Sequence, residues 1–254
     1  MIVDLLRRIQ RKLIKLQLQP IRVFCMHHVS DVYEESYMWD GDWTQTEQLK
    51  RFVERLRSQG YIFISLAEAK RKLEKDLFRC KKYAVLTADD GFKTLLNILP
   101  WLKEQQIPIT LFVNPKYMLE DEIGDNVQMR LDQTQGKITS DALYLKLSDI
   151  KKIESPYVSF AYHGYEHLDE YEMDKEEFLC NVDACVESMH ETFFNVVPFY
   201  AHTYGHAKPE YDEILKMKCI VPVYVSYNKV NYYESESINR ELISNERLLK
   251  GALK

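Results

Sequence analysis

The sequence predicts an α/β fold in which about seven parallel strands form a closed or partly closed barrel. Predicted strands and helices alternate along the chain, the strands are continuous apolar runs, and about seven strand–helix units are present. Continuous apolar strands are typical of parallel sheets that are covered on both faces. With this many units a barrel is favoured over an open doubly wound sheet. The chemistry of such barrels lies at the carboxyl ends of their strands.

The first twenty residues predict an amphipathic helix that ends at Pro20. Its apolar residues fall within an arc of about 100°. The other side carries basic residues, namely Arg7, Arg8, Arg11, Lys12 and Lys15. This arrangement suits a helix that lies on the anionic inner membrane surface, with peripheral contact through residues 1–18. It suits equally a helix packed on its own domain or on a second subunit, and the sequence does not predict an oligomeric state.

Residues 21–254 are interpreted as one domain that follows this helix, which occupies residues 1–20. Apolar runs predict strands at 21–27, 61–65, 82–88, 108–114, 157–163, 196–202 and 219–227. Helical periodicity predicts helices at 44–58, from Ser65 onward, and at 93–106, 148–153, 174–193 and 208–217. Thr44 and Glu47 form a capping box for the first of these helices, and Pro100 is expected to bend the third.

Composition excludes several classes of protein. Of the 254 residues, 46% are hydrophobic and 29% are charged, which is ordinary for a soluble globular chain. The net charge of −5 does not indicate the positively charged surface that binds nucleic acid, so no nucleic-acid partner is expected. No apolar run of about 18 residues and no signal peptide are visible. Five cysteines without a Cys-x-x-Cys pair favour buried free thiols in a reducing compartment, so a cytoplasmic location is expected.

Polar side chains that can bind a metal or move a proton follow several of the predicted strands. They are His27, Asp89 and Asp90, His163, and His202 with Tyr204. Because the carboxyl ends of parallel strands meet at one rim of a barrel, we expect these side chains to converge there.

His163 and His167 lie four residues apart, a spacing that lets two imidazoles bind one cation, and Gly164 lets the backbone bend between them. Asp90 would complete a set of two histidines and one carboxylate, which is a catalytic pattern because it leaves coordination positions open. Asp89 would then be the base beside the metal's water, whose pKa the metal lowers. Each motif is weak alone, since Asp-Asp-Gly is more often a plain turn.

These motifs resemble those of the polysaccharide deacetylase family (carbohydrate esterase family 4, with a NodB-like domain). The resemblance covers residues 21–245 and rests on the segments LTADDGF, IPITLFVNP, SFAYHGYEHLD and FYAHTYG. The family's Thr-Phe-Asp-Asp-Gly corresponds to Thr87–Gly91, and its His-Ser/Thr-x-x-His corresponds to His163–His167. The resemblance implies a distorted (β/α) barrel and a hydrolase that removes N- or O-acetyl groups from sugars. It also implies a catalytic base, Asp89, and a divalent metal, most often zinc, on Asp90, His163 and His167.

The segment MHHVSD (26–31) resembles the opening of a subgroup associated with bacterial capsule, O-antigen and adhesin polysaccharides. In some relatives the strand that bears the general-acid histidine lies at the start of the domain, as a circular permutation. The resemblance then implies that His27 is the acid that protonates the leaving group. His28 is the competing candidate, since only one of two adjacent strand residues should face the rim. His202 is a further candidate, because the family's Leu-x-His near the C-terminus is absent.

The third family motif is altered in this chain. The subgroup has Phe-Ala-Tyr-Pro-Tyr-Gly where Tyr200–Gly205 stand here, so Thr203 replaces the proline, and the family's usual arginine is missing. The Tyr204 backbone N–H can still contribute to an oxyanion hole, although Thr203 is expected to make the loop less rigid. Arg240 is a candidate for the missing cation beside Asp89, where it would lower the pKa of that carboxyl; a surface arginine is the alternative.

The resemblance therefore implies a metal-dependent deacetylase. Its expected substrate is an acetylated sugar or glycan that is an intermediate of bacterial surface polysaccharide biosynthesis. Aromatic residues in the loop after His27 could stack on sugar rings or pack on one another; they are Tyr33, Tyr37, Trp39 and Trp43. Two other functions stay open. One is a degenerate, non-catalytic binding or scaffold protein on the same fold, which the altered third motif favours. The other is a metal-dependent amidase that acts on something other than sugar.

Overall fold

The computed structural model describes residues 19–35, 38, 41–75, 81–119, 140–226, 231–232, 235–251 and 253. The predicted helix within residues 1–18 lies outside these ranges, as do Tyr37, Trp39 and Cys80. The boundary between that helix and the domain stays a prediction. Within the described ranges, no helix combines the length and the hydropathy that crossing a bilayer requires.

Seven parallel strands close into a barrel, which confirms the predicted fold class. The strands of the described chain are β1 (Ile21–Met26), β2 (His28–Val29), β3 (Trp43–Thr44), β4 (Tyr61–Phe63), β5 (Lys82–Ala88), β6 (Ile109–Val113), β7 (Val158–Tyr162), β8 (Val196–Ala201), β9 (Val221–Val225) and β10 (Ile238–Leu242). Around the ring, the order is β1, β10, β9, β8, β7, β6, β5 and back to β1.

One member of the ring differs from the sequence-based expectation. The predicted strand at 61–65 forms β4, which pairs with the first residues of β5, whereas β6 pairs with its last residues; β4 therefore lies beside the ring. The seventh place is taken by β10, which the sequence did not indicate because its composition is polar. Its charges are paired with distant residues: Arg22 donates to Glu241 through Nε at 2.9 Å and Nη2 at 2.7 Å.

Helices cover the outside of the barrel. Those of the described chain are α1 (Thr46–Ser58), α2 (Leu66–Lys75), α3 (Leu99–Glu104), α4 (Pro115–Leu119), α5 (Ser140–Leu143), α6 (Leu147–Ile153), α7 (Lys175–Thr192), α8 (Pro209–Met217) and α9 (Asn245–Leu249), with 3₁₀ turns at Lys93–Asn97 and Thr203–Gly205. The capping box expected for α1 is wrong, because Thr44 lies in β3 and its hydroxyl donates to the Ile243 carbonyl at 3.3 Å. Pro100 lies in the first turn of α3, where no N–H donor is needed, so it begins a helix and does not bend one.

Two apolar clusters form the core. The larger one lies between the strands and the helices, α1, α7 and α8 among them. The smaller one takes residues from all seven barrel strands and therefore fills the interior; its strand members are Ile21, Val23, Tyr83, Val85, Phe112, Ala161, Phe199, Ala201, Val223 and Ile238. Side chains alternate along a strand, so residues two positions further on face the barrel mouth. They include Cys25, Thr87, Asn114, His163 and Arg240.

The four described cysteines are free thiols. Cys25 and Cys185 are buried, as expected, whereas Cys180 and Cys219 are exposed. The expectation of buried thiols is therefore wrong for Cys180, on the outer face of α7, and for Cys219, in the turn before β9.

Candidate active site

A sharp turn after β5 separates the two adjacent aspartates. The Asp89 N–H donates to the Met26 carbonyl at 3.0 Å and so continues the pairing of β5 with β1. Asp90 then adopts a left-handed conformation, with φ 65°, and Gly91 follows with φ 68°. Aspartate tolerates this region better than most residues, and such outliers cluster at functional sites. A Cβ on Gly91 would lie 1.9 Å from Met118 Cε, the end of a flexible side chain, so this contact and the positive φ together favour glycine in the turn.

Asp90, His163 and His167 converge at the mouth of the barrel. Asp90 Oδ1 lies 3.1 Å from Nε2 of His163 and 3.3 Å from Nε2 of His167. Burial by itself raises the pKa of Asp90, but the two histidines outweigh burial and hold it well below its ordinary value. The structure thus brings together the three side chains that the sequence proposed as metal ligands.

Main-chain contacts orient both histidines. His163 Nδ1 donates to the Ala201 carbonyl at 2.7 Å, which leaves Nε2 of the neutral ring as the lone-pair atom that faces Asp90. The Asn114 side-chain amide donates to the His163 carbonyl. The His167 N–H donates to the Tyr117 hydroxyl at 3.0 Å. Asn114 appeared in the sequence only as part of the IPITLFVNP segment and Tyr117 carried no signal, since both lie about 50 residues from the motif that they support.

The donor set fits a divalent metal. A tetrahedral ion with bonds of about 2.0–2.2 Å places its ligand atoms about 3.3 Å apart, close to the 3.1 and 3.3 Å that separate Asp90 Oδ1 from the two histidine nitrogens. Two imidazoles and one carboxylate are a ligand set that zinc favours, and three protein ligands leave a position for water or substrate.

Asp89 is held by Arg240 in the interior of the barrel. Arg240 Nη1 and Nη2 donate to the two carboxylate oxygens at 2.6 and 2.7 Å, and the Arg240 side chain is 1% exposed. Arg240 Nη1 also donates to the Thr87 hydroxyl at 3.2 Å, and the guanidinium lies over the Phe112 ring at 4.8 Å. Burial raises the pKa of Asp89, but the charge and hydrogen bonds of Arg240 outweigh it and lower that pKa. Arg240 is therefore a buried partner of Asp89 and not a surface residue.

A second group of metal-ligand atoms lies beside the first. Atoms of Cys25, His27 and Asp89 all lie within 4.8 Å of one another, and the Cys25 thiol donates to Asp89 Oδ2 at 3.3 Å. This group suits a cation poorly, because the Arg240 charge already neutralises Asp89. Burial also raises the pKa of the Cys25 thiol well above its ordinary value, so the thiolate that a metal requires is disfavoured. The group does place His27 beside Asp89.

The three candidate general acids lie in different environments. His27 is partly exposed at the rim, where Nδ1 makes no hydrogen bond and lies 4.0 Å from Asp42 Oδ1. His28 is buried, with its ring stacked on Phe92 at a centroid distance of 3.7 Å. His202 is enclosed between Glu170 and Asp212, and its side chain has no exposed surface. The environments of His28 and His202 are those of packed residues.

The loop of the altered third motif is tied to a buried acid, Glu170. The Thr203 N–H donates to Glu170 Oε1 at 3.1 Å, a bond that the family's proline cannot make, and the Thr203 hydroxyl donates to the Leu168 carbonyl. The Tyr200 hydroxyl donates to the same Glu170 oxygen at 2.9 Å. These bonds restrain Thr203, and the expectation that the loop is less rigid than with proline stays a prediction. Tyr204 follows with φ 54°, and its ring lies 4.5 Å from that of His167.

The described aromatic residues of the loop after His27 pack on one another. The Tyr33 and Trp43 rings lie 5.0 Å apart, and Trp43 Nε1 donates to the Ser30 carbonyl at 2.9 Å. Of the two expectations for this loop, stacking on sugar rings or packing of the side chains on one another, the second therefore holds for Tyr33 and Trp43. Tyr37 and Trp39 lie outside the described ranges.

Comparison with known proteins confirms the resemblance seen in the sequence. A family model described as polysaccharide deacetylase matches residues 78–219, more than half of the chain and the part that contains both aspartates and both histidines. No match was found among curated protein sequences.

Solved structures share the fold. IcaB from Ammonifex degensii matches with a TM-score of 0.73 and 18% identity over 93% of this chain and 97% of that chain. A de-N-acetylase from Aggregatibacter actinomycetemcomitans matches with a TM-score of 0.74 and 17% identity over 92% and 100%. Streptococcus pyogenes deacetylase PplD matches with a TM-score of 0.71 and 18% identity over 91% and 97%. At these identities the likeness shows the fold alone, and the family model carries the assignment: the chain belongs to the polysaccharide deacetylase family.

Proposed function

We propose that the chain is a metal-dependent deacetylase that hydrolyses N- or O-acetyl groups on a sugar. The observation that carries this proposal is the convergence of Asp90, His163 and His167 beside the Arg240-bound Asp89. A divalent ion held by these three ligands, with zinc the best match to the donor set, would polarise the acetyl carbonyl oxygen and lower the pKa of water in the site.

Asp89 is the proposed base. Arg240 keeps its carboxylate ionised and fixes its orientation with two parallel hydrogen bonds. As the oxygen of water bonds to the acetyl carbon, its proton passes to Asp89. Negative charge then develops on the former carbonyl oxygen, to which the Tyr204 backbone N–H is proposed to donate.

His27 is the proposed acid. The bond between the acetyl carbon and the leaving nitrogen or oxygen breaks as that atom takes a proton from His27, which releases acetate and a free amine or hydroxyl. Asp42 is well placed to orient the imidazole, because a small movement would bring its carboxylate from 4.0 Å into hydrogen-bonding range of Nδ1. Catalytic hydrogen bonds are often long before substrate binds.

The substrate is proposed to be an intermediate of bacterial surface polysaccharide biosynthesis, handled in the cytoplasm. The MHHVSD segment supports the pathway, and the similarity in fold to a de-N-acetylase supports the removal of an acetyl group. Contact of residues 1–18 with the inner membrane surface, and the domain division after residue 20, belong to the same proposal.

Metal analysis combined with acetate release tests the proposed function. The protein is loaded with zinc, and hydrolysis of acetylated amino sugars is measured. We expect Asp90→Ala and His163→Ala to lose metal and activity together, whereas Asp89→Asn should keep the metal and lose activity. Met217→Ala, an exposed position on α8, is the control that should change neither.

Two outcomes would contradict parts of this proposal. Hydrolysis that survives in Asp89→Asn removes the assignment of the base. A wild-type protein that holds metal and binds glycan but releases no acetate supports the non-catalytic alternative. The missing arginine of the third motif favours that alternative, and the buried Arg240 beside Asp89 weakens it.

A further inference from the structure

One buried carboxylate, Glu170, accepts hydrogen bonds from three residues of the altered third motif, Tyr200–Gly205. Its Oε1 accepts from the Tyr200 hydroxyl at 2.9 Å and from the Thr203 N–H at 3.1 Å, and its Oε2 accepts from His202 Nδ1 at 2.5 Å. These three residues are also the ones at which the chain departs from the subgroup's Phe-Ala-Tyr-Pro-Tyr-Gly. Every departure from the motif therefore supplies a donor to the same carboxylate.

The backbone of this segment has the shape that a proline at position 203 would impose. His202 is extended, with φ −69° and ψ 133°, as the residue before a proline must be, and Thr203 begins a 3₁₀ turn. Proline has no N–H and phenylalanine has no hydroxyl, so the subgroup's residues could not make the bonds that Thr203 and Tyr200 make. Here Glu170 holds the same shape by hydrogen bonds.

The Glu170 carboxylate forms a buried ion pair with His202. Both ring nitrogens of His202 face carboxylates, since Nε2 lies 3.2 Å from Asp212 Oδ1, so both are donors and the ring carries a positive charge. Neither the Glu170 nor the His202 side chain has exposed surface. Burying such a pair costs desolvation free energy, and apolar residues of similar volume are often as stabilising. Stability alone is therefore a weak reason for this pair, and a fixed position of the loop is a better one.

The segment that Glu170 holds contacts both histidines of the proposed metal centre. The Ala201 carbonyl accepts from His163 Nδ1 at 2.7 Å, and the Tyr204 ring lies 4.5 Å from that of His167. Tyr204 has φ 54°, and its backbone N–H is the proposed donor to the oxyanion. Such a donor contributes to catalysis only when it is already aimed at the oxygen on which charge develops.

We propose that Glu170, paired with His202, is a positioning residue that holds the Tyr204 backbone N–H where the oxyanion forms, by hydrogen bonds in place of the motif's proline. Glu170 acts through Thr203 and does not itself touch the substrate. An interaction that strengthens only in the transition state raises kcat and leaves KM unchanged. The inference rests on the proposed function, because the oxyanion belongs to that reaction.

The test measures Glu170→Gln with threonine and with proline at position 203. Glutamine keeps an oxygen acceptor and removes the charge, so kcat for acetate release should fall about tenfold, the difference between a charge-assisted and a neutral hydrogen bond. KM and zinc content should not change. Thr203→Pro fixes the backbone covalently, so in that background Glu170→Gln should change kcat by less than about twofold. Equal losses in the two backgrounds overturn the proposal.

Asp212→Asn is a matched control, because Asp212 contacts the other ring nitrogen of the same histidine. The hydrogen bonds of Asp212 join it to His202 and to the Tyr224 hydroxyl, away from the backbone of the motif. We expect this variant to unfold at a lower urea concentration and to keep kcat within about twofold of the wild-type value. A loss of kcat as large as that of Glu170→Gln would show that any weakening of the buried pair has this effect, and it would overturn the positioning role.

Backbone hydrogen exchange without substrate separates failure of this inference from failure of the proposed function. The Gly205 N–H donates to the His202 carbonyl at 3.3 Å, and the His206 N–H donates to the Thr203 carbonyl at 3.0 Å. Both N–H groups should exchange faster in Glu170→Gln, and Thr203→Pro in the same chain should slow them again. Unchanged exchange in Glu170→Gln overturns the positioning role alone. A wild-type protein that releases no acetate, but whose variants show these exchange rates, rejects the deacetylase and retains the restraint of the motif by Glu170.

Discussion

Arg240→Gln tests the link between the strand that completes the barrel and the base of the proposed reaction. Both terminal guanidinium nitrogens reach Asp89, at 2.6 and 2.7 Å, and both side chains are buried. Glutamine removes the cation and leaves Asp89 as a buried carboxylate without its partner. Removing one partner of such a pair costs about 3–5 kcal/mol of unfolding free energy.

The same substitution should change how both unfolding stability and kcat/KM depend on pH, and the direction of each change follows from the pKa of Asp89. Burial raises the pKa of Asp89, and Arg240 more than offsets burial in the wild-type protein. Without Arg240 we expect that pKa to exceed its ordinary value, so the folded variant takes up a proton at a pH where the unfolded chain does not. The loss of stability should therefore shrink as the pH falls from about 7 towards about 5. A protonated Asp89 cannot accept a proton from water, so the acid limb of kcat/KM should move to higher pH.

Urea unfolding across pH gives the stability of each variant, and acetate release gives the activity profile. Arg22→Gln is a matched control, because Arg22 makes a similar two-bond pair with Glu241 of the same strand, at 2.9 and 2.7 Å. Its side chains are 11% and 19% exposed, so the control should cost about 1 kcal/mol and leave the profile unchanged. Wild-type stability together with an unshifted acid limb in Arg240→Gln would refute the reasoning.

Metal affinity should fall as the pH drops, because contact with the neighbouring carboxylate outweighs burial and raises the pKa of His163 above 6.5, and a protonated imidazole does not bind metal. Zinc retention against a chelator at about pH 5.5 and about pH 7.5 measures this effect. Gly91→Ala should cost about 1–3 kcal/mol of unfolding free energy, since Gly91 has φ 68° and its Cβ would displace the end of the Met118 side chain and press on Val113 at 3.1 Å. Gly60→Ala, at φ 85° with nothing within 4 Å, is its control and should cost only about 1 kcal/mol in urea unfolding. Burial lowers the pKa of His202, but hydrogen bonds with two carboxylates raise it to about 9, above the ordinary 6.5. The stability that His202 contributes is therefore present below pH 6.5 and lost as the pH rises through about 9, a decline of about 3 kcal/mol that His202→Gln should flatten in urea unfolding.

The fold class and the convergence of the two motifs could be predicted because their signals are local. Asp89 and Asp90 directly follow an apolar run, and His163 ends another. Parallel strands with both faces covered then require the strand ends to meet at one rim. No contact between distant residues had to be known.

Other features depend on pairings that no local pattern reveals. The composition of β10 is polar, so the sequence gives no sign that it is a buried strand. Its Arg240 can be buried because it pairs with Asp89, which lies 151 positions away. Alternation along a strand predicts that one of His27 and His28 faces the rim, but only the stacking of His28 on Phe92 shows which one packs inside. The hydrogen bond from Thr203 to Glu170 joins residues 33 positions apart. The sequence therefore shows that the proline is replaced, but it does not show the bond that Thr203 makes in its place.

The barrel is closed by the first and last strands of the described domain. β1 leads into His27, and its neighbour β10 supplies Arg240, whereas the stretch matched by the family model, residues 78–219, contains neither strand. All three proposed metal ligands therefore precede β10 in the chain, whereas the cation that pairs with Asp89 lies on β10 itself. Under the proposed mechanism, the ion and the ionised base depend on different parts of the sequence, which meet only because β10 pairs with both β1 and β9.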